Sequence, residues 1–233
     1  MLFDKWFPDN ISTFGGEIDS TFYLIFYIVG FWFLLTEGAI IYFAFRYRRR
    51  KGYQASHLRG ETLKQTAWIL IPGLIVFLLD LGIDFAGGHA YNKVKFDKPP
   101  SDTKVQVMAK QFDWIYTYPG PDKEFGTEDD MKLEPGDKNH GLHVPINRVV
   151  TVILQSEDVI HSFFVPVLRL KQDIIPGREI PVWFEATKEG NYEIACAELC
   201  GFSHHTMRSI LFVHSEDGYT KWEEKQRLAD EAF

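Results

Sequence analysis

Both cysteines of the chain fall in one window, CAELCGFSHHTM, at positions 196–207. Cys196 and Cys200 stand at C-x-x-x-C, His204 follows four residues on, and Met207 three further. Thiolate, imidazole and thioether are soft to borderline ligands, a set that selects copper over hard cations. The window lies between two strand-like runs, YEIAC (192–196) and RSILFVH (208–214). A loop there can curl its side chains round an ion, whereas a straight strand points alternate residues apart. Three other readings of the cysteines stay open at this point. They are a disulfide on an oxidising face, a zinc half-site and a thiol–disulfide relay. Zinc gains nothing from Met207, and a relay wants a thioredoxin-like βαβ pattern that the sequence lacks.

VIHSFFVP (159–166) places His161 at the end of a strand, 35 residues before Cys196, and makes it a candidate second imidazole. In a sandwich, strand ends far apart in sequence meet at one pole. His57, His89, His140, His143, His205 and His214 lack such a context and are expected to be structural or solvent-facing.

The elements that must position these residues are short and rich in β-branched and aromatic side chains. KVQVMA (104–109), FDWIYTY (112–118), RVVTVILQ (148–155) and IPVWFEA (180–186) join the two runs already named, with Gly, Pro, Asn and Asp between them. The pattern predicts an antiparallel β-sandwich or barrel of roughly 120 residues. Residues 119–141 read as a polar, acidic loop, and Tyr219 to Phe233 as a short surface helix.

The first third of the chain is different. Thr21 to Tyr47 carries only Glu37 as a charge before Arg46, and Thr66 to Phe85 is a second apolar run that contains Pro72 and Gly73. Each is long enough to cross a bilayer, which takes roughly 20 residues. Asp80 and Asp84 fall towards the far end of the second span. Glu37 has two readings, a functional intramembrane carboxyl or a pairing group at a helix–helix contact. The loop between the spans carries Arg46, Arg48, Arg49, Arg50, Lys51, Arg59 and Lys64 against the single acid Glu61. Positive charge marks the cytoplasmic side, so both termini and everything after about residue 90 are expected on the periplasmic side. The expected division is a two-helix hairpin with a short N-terminal segment over 1–94, a β-domain over 95–215 and a closing helix over 216–233.

Composition agrees with this division. The net charge of −7 excludes a nucleic-acid binder, because a polyanion needs clustered Lys and Arg. Two cysteines in 233 residues exclude a disulfide-rich scaffold. Mean hydropathy of −0.15 looks soluble only because it averages two unlike parts.

Two N-terminal spans, D-V-I-H-S-F, K-x-D-I-I-P-G and C-A-E-L-C-G-F-S-H-H-T-M together resemble subunit II of the haem–copper cytochrome c oxidases, over nearly the whole chain. The resemblance implies an all-β cupredoxin-like Greek-key sandwich behind a membrane hairpin. It implies a dinuclear copper centre, CuA, bridged by Cys196 and Cys200, with His161 and His204 each completing one copper. Met207 and the backbone carbonyl of Glu198 would be weak outer ligands, and the Glu198 side chain would reach a magnesium ion shared with subunit I. The implied task is to take electrons from a c-type cytochrome and pass them to haem in subunit I, where oxygen reduction drives proton pumping. Asp122, Glu124, Glu128, Asp129 and Asp130 are then candidates to attract a basic cytochrome.

Two positions depart from the family pattern. Phe112 stands where the electron-input Trp is expected, with Trp114 kept two residues on. Gln65 stands where a Glu often marks the mouth of a proton channel, and Glu61 is the nearby substitute. No C-x-x-C-H occurs, which implies a donor haem on another polypeptide, either a soluble cytochrome or one held in a supercomplex. The alternatives are a copper-free quinol-oxidase-type subunit II, whose relatives lack the Cys and His ligands kept here, a nitrous-oxide-reductase-like CuA protein and a C-x-x-x-C copper chaperone.

Overall fold

The computed structural model describes residues 7–54, 59–101 and 103–230; His57 lies outside them. Two compact units emerge, one of residues 17–92 and one that combines residues 93 onward with the first sixteen.

The first unit is two long helices, α1 (Gly15–Arg46) and α2 (Leu63–Lys95). At 1.5 Å per residue each is about 50 Å long, more than the roughly 30 Å of a hydrocarbon core. Their apolar side chains are bare: Phe31, Leu34, Phe45, Trp68, Ile69 and Phe85 are all exposed. Such surface is stable only where the solvent is itself apolar. Pro72 lies inside α2, where it withholds one backbone donor from the helix ladder. At the start of α2, Gln65 Oε1 accepts the backbone N–H groups of Gly60 and Glu61 at 3.0 and 3.1 Å, a side-chain cap on otherwise unpaired donors.

The second unit is a sandwich of two five-stranded sheets. One has the order β3 (Met131–Leu133), β2 (Asp113–Tyr118), β1 (Thr103–Lys110), β5 (Val149–Ser156) and β8 (Ile180–Glu185). The other has the order β4 (Leu142–Pro145), β10 (Arg208–His214), β9 (Gly190–Cys196), β6 (His161–Val165) and β7 (Leu170–Ile174). Strict alternation builds the core. Val150, Val152 and Leu154 of β5, Val105 and Val107 of β1, and Trp114 and Tyr116 of β2 are wholly buried from one sheet. Phe163, Val165, Ile194 and Leu211 meet them from the other. Each such side chain contributes about 1.5–3 kcal/mol of burial, which the fold offsets against chain entropy.

The sandwich is not purely antiparallel, as the sequence pattern predicts. β1 pairs parallel with β5, and β4 pairs parallel with β10. Both pairings join strands whose partners lie far off in sequence, which local alternation does not encode. The acidic stretch 119–141 also contains a strand: Met131 and Leu133 of β3 are buried beside β2. Three residues are too few for a period to show. A closing helix α3 (Glu216–Asp230) follows β10.

Candidate metal centre

Three neighbouring strands bring the predicted ligands to one pole. His161 opens β6 and Cys196 ends β9, and the two strands pair through Phe163–Cys196 and Phe164–Ala195. The chain beyond Cys196 loops out and returns to β10. Two backbone bonds close this loop at its base, Cys196 N–H to Met207 O at 3.1 Å and Ala197 N–H to Ser162 O at 3.0 Å. A single turn of 3-10 helix, His204–Thr206, lies within it.

The donor atoms converge. The two sulfurs are 3.9 Å apart, well beyond the roughly 2.05 Å of a disulfide, and both thiols are free. His161 Nδ1 lies 3.8 Å from Cys196 Sγ, and His204 Nδ1 lies 3.6 Å from Cys200 Sγ. Met207 Sδ is 3.9 Å from Cys200 Sγ, and the Cys196 thiol points at the carbonyl of Glu198 at 3.2 Å. His161, both cysteines and Met207 are buried. Two thiolates that share an ion at metal–sulfur distances of about 2.3 Å sit roughly 3.8 Å apart at a tetrahedral angle, so the pocket fits bridging thiolates without rearrangement. Burial, and then the neighbouring Cys196 thiol, push the Cys200 thiol up to about 11. A cation is needed to draw its proton off at neutral pH.

Behind the ligands stands a support that residue spacing did not reveal. Asp158 Oδ1 accepts the Nε2–H of His161 at 2.8 Å, which fixes the tautomer that turns Nδ1 to the sulfurs. The same carboxylate accepts the backbone N–H groups of Val159 at 2.6 Å and Gln111 at 2.7 Å. Burial opposes its charge, but the bonds from His161, Gln111 and Val159 outweigh that and hold the carboxyl below its usual range. An acid three residues before a ligand histidine is the signal that could have found it.

The other singled-out residues are spread round this pole and beyond it. Trp114 is fully buried, its ring 6.4 Å from that of His161 and 5.8 Å from that of Phe163. Phe112 is half-buried and lies against Gly201. Leu199 and Phe202 are exposed on the ligand loop, and so is the Glu198 residue. Gln65 and Glu61 belong to the other unit, where Glu61 is exposed 3.8 Å from Arg59. Among the remaining histidines, His140 bonds the carbonyl of Trp114 at 2.6 Å, and His143 pairs with His214 at 2.8 Å.

The sequence profile described as cytochrome C oxidase subunit II, periplasmic domain, matches residues 103–213. The chain is 32% identical to the alternative cytochrome c oxidase subunit 2 of Bradyrhizobium diazoefficiens, over 97% of this chain and 86% of that protein. It is also 32% identical to cytochrome c oxidase subunit 2 of Thermostichus vulcanus, over 92% of this chain and 76% of that one. Among solved structures, the periplasmic domain of subunit II of cytochrome oxidase of Bradyrhizobium japonicum matches 57% of this chain and 98% of its own, at 29% identity and a TM-score of 0.49. With identity of this extent along nearly its full length, the chain belongs to the cytochrome c oxidase subunit II family.

Proposed function

We propose that the chain is the electron-input subunit of a respiratory cytochrome c oxidase and that His161, Cys196, Cys200 and His204 hold its dinuclear copper centre, CuA. One observation carries this reading: two buried, unbonded thiols 3.9 Å apart, each faced by an imidazole nitrogen, with a thioether beside them. When bound, a copper pair supplies a one-electron carrier whose charge two thiolates spread over both ions. The chain supplies everything else. Cys196 and Cys200, with their protons released, would hold the metal as thiolates. Asp158 orients His161. Met207 and the Glu198 carbonyl stand by as weak outer donors that tune rather than anchor. The strands fix the ligands before metal arrives, and their burial keeps water out, so little needs to reorganise.

As a family member the chain is one part of an oxidoreductase complex of the bacterial inner membrane, and a haem-bearing subunit I is its partner. The finer points belong to the proposal. The basic loop after α1 supports a cytoplasmic hairpin turn and a periplasmic copper domain, made of residues 95–215 with the segment 7–14 docked on it. The exposed Asp122, Glu124, Glu128 and Asp129 suit the docking of a basic c-type cytochrome, free or in a supercomplex. The exposed Glu198 suits a magnesium ion at the subunit I contact. Phe112, close to the ligand loop, is better sited than the buried Trp114 to receive an electron from outside. Gln65 is engaged as a helix cap and has no titratable proton, so Glu61 is the better of the two for proton intake.

The test is the full chain purified from membranes with its copper counted. Two copper atoms per polypeptide and a seven-line hyperfine pattern in electron spin resonance are expected, since one unpaired electron then couples to two equivalent nuclei. One atom with a four-line pattern, or none, overturns the assignment.

A further inference from the structure

We propose that Gln111 is a positioning residue for the copper centre, a clasp that holds the two halves of the ligand set in register. The inference rests on the reading of Cys200 and His161 as metal ligands. Those ligands come from separate pieces of chain, His161 from the start of β6 and Cys200 from the loop after β9. Gln111, in the tight turn between β1 and β2, reaches both. Its side-chain Nε2 donates to the carbonyl of Cys200 at 2.6 Å. Its backbone N–H donates to Asp158 Oδ2 at 2.7 Å, and the other oxygen of that carboxylate holds His161 at 2.8 Å. One residue thus fixes the support of an imidazole through its backbone and the backbone of a thiolate ligand through its side chain.

The fold makes room for this contact. Gly201, next to Cys200, has φ of +140°, and a Cβ there would stand 2.8 Å from Gln111 Nε2 and 3.0 Å from the Phe112 ring. A Cβ at Gly201 would push the Gln111 amide off the Cys200 carbonyl, and the positive φ itself favours glycine there. Among the described residues, Gln111 Nε2 is the hydrogen-bond partner of the Cys200 carbonyl, and the loop's remaining backbone bonds lie at its base and within its single helical turn. Without the amide, the Cys200 corner of the loop is free to lift while Asp158, held through the backbone of Gln111, stays in place.

Gln111→Met keeps length and removes the donor; Gln111→Glu keeps shape and sets an acceptor against the carbonyl. In the metal-free full chain carrying Cys196→Ser, Cys200 is the sole thiol, and its reaction with 4,4′-dithiodipyridine reads how often the loop lifts. A lost hydrogen bond predicts roughly three- to tenfold faster reaction for Gln111→Met, and at least as much for Gln111→Glu. Because Gln111 is exposed, the melting temperature should stay that of the parent. With Cys196 restored and copper loaded, the Met variant should change its copper hyperfine splitting, a signature that mere space-filling would not move. Reaction within twofold of the parent in both variants, or an unchanged splitting, overturns the clasp. The thiol measurement uses no metal, so it fails or succeeds independently of the copper assignment.

Discussion

The proposed cysteine and methionine ligands have distinct expected signatures on removal. A serine oxygen cannot replace a bridging thiolate, so Cys196→Ser or Cys200→Ser should abolish the mixed-valence spectrum of the copper-loaded chain. A seven-line pattern kept by either variant would refute the bridging role. Met207→Leu should keep the pair and shift its reduction potential, because a weak ligand mainly tunes the metal. Asp158→Ala leaves the Nε2–H of His161 without its 2.8 Å partner and should weaken copper retention by about 10- to 100-fold in a chelator competition; parity with the parent would remove Asp158 from the site. The sequence made this cluster of candidate ligands legible for a plain reason. Cys196, Cys200, His204 and Met207 share one short loop, so their spacing nearly encodes their meeting. Asp158 and Gln111 were not legible, because their contacts with the ligands exist only once three separate turns are folded to one pole.

At the scale of elements, long strands declared themselves by alternation, while β3 and β4 did not. β4 has four residues, all buried, and therefore no period. What β4 carries is a stack: the ring of His143 lies 4.1 Å from Trp222 of α3 at 5°, and 4.3 Å from Phe212 of β10 at 17°. His143 Nδ1 pairs with His214 at 2.8 Å and Nε2 with the Asn139 carbonyl at 2.9 Å. Burial, only partly offset by the Asn139 bond, pulls its pKa down to about 4. The folded state therefore keeps this ring neutral while an unfolded chain protonates it near the ordinary value of about 6.5. Between those two values the unfolded state binds more protons, so stability is full above about pH 6.5 and falls as pH drops towards 4. The loss from this ring reaches up to about 3 kcal/mol. Denaturant unfolding of the parent and of His143→Phe across this range checks it: the parent should lose about 1.4 kcal/mol per pH unit more than the variant. Parallel curves would deny His143 the role.

The unit that carries the sandwich includes a contact that no local pattern announces. Residues 11–14 precede α1 yet lie on the sandwich, where Ser12 bridges Ala186 beside β8. Ile11 N–H donates to Val167 O at 2.9 Å, Thr187 N–H to Ile11 O at 2.7 Å, and Ser12 Oγ to Leu168 O at 2.9 Å. Ile11 and Phe14 are fully buried, the Phe14 ring 5.3 Å from Trp183 and edge-on to it. The last turn of α2 is tied to the same domain, with the Trp183 indole N–H donating to Val94 O at 3.0 Å. Both strands of backbone that lead to the membrane helices are therefore part of the sandwich. At about 1.5–3 kcal/mol for each buried side chain, Ile11 and Phe14 together hold roughly 3–6 kcal/mol, a large share of the 5–15 kcal/mol typical of a whole domain. Ile11→Ala combined with Phe14→Ala should accordingly lower the thermal midpoint of the full chain in detergent by well over the few degrees that one kcal/mol moves a domain of this size. Of the proposed copper ligands, His161 stands at the end of β6 away from Val167 and the others lie beside it, so the double variant should still bind two copper atoms below its midpoint. An unchanged midpoint would mean that the segment only rests on the domain, and lost copper would mean that it braces the metal pole as well.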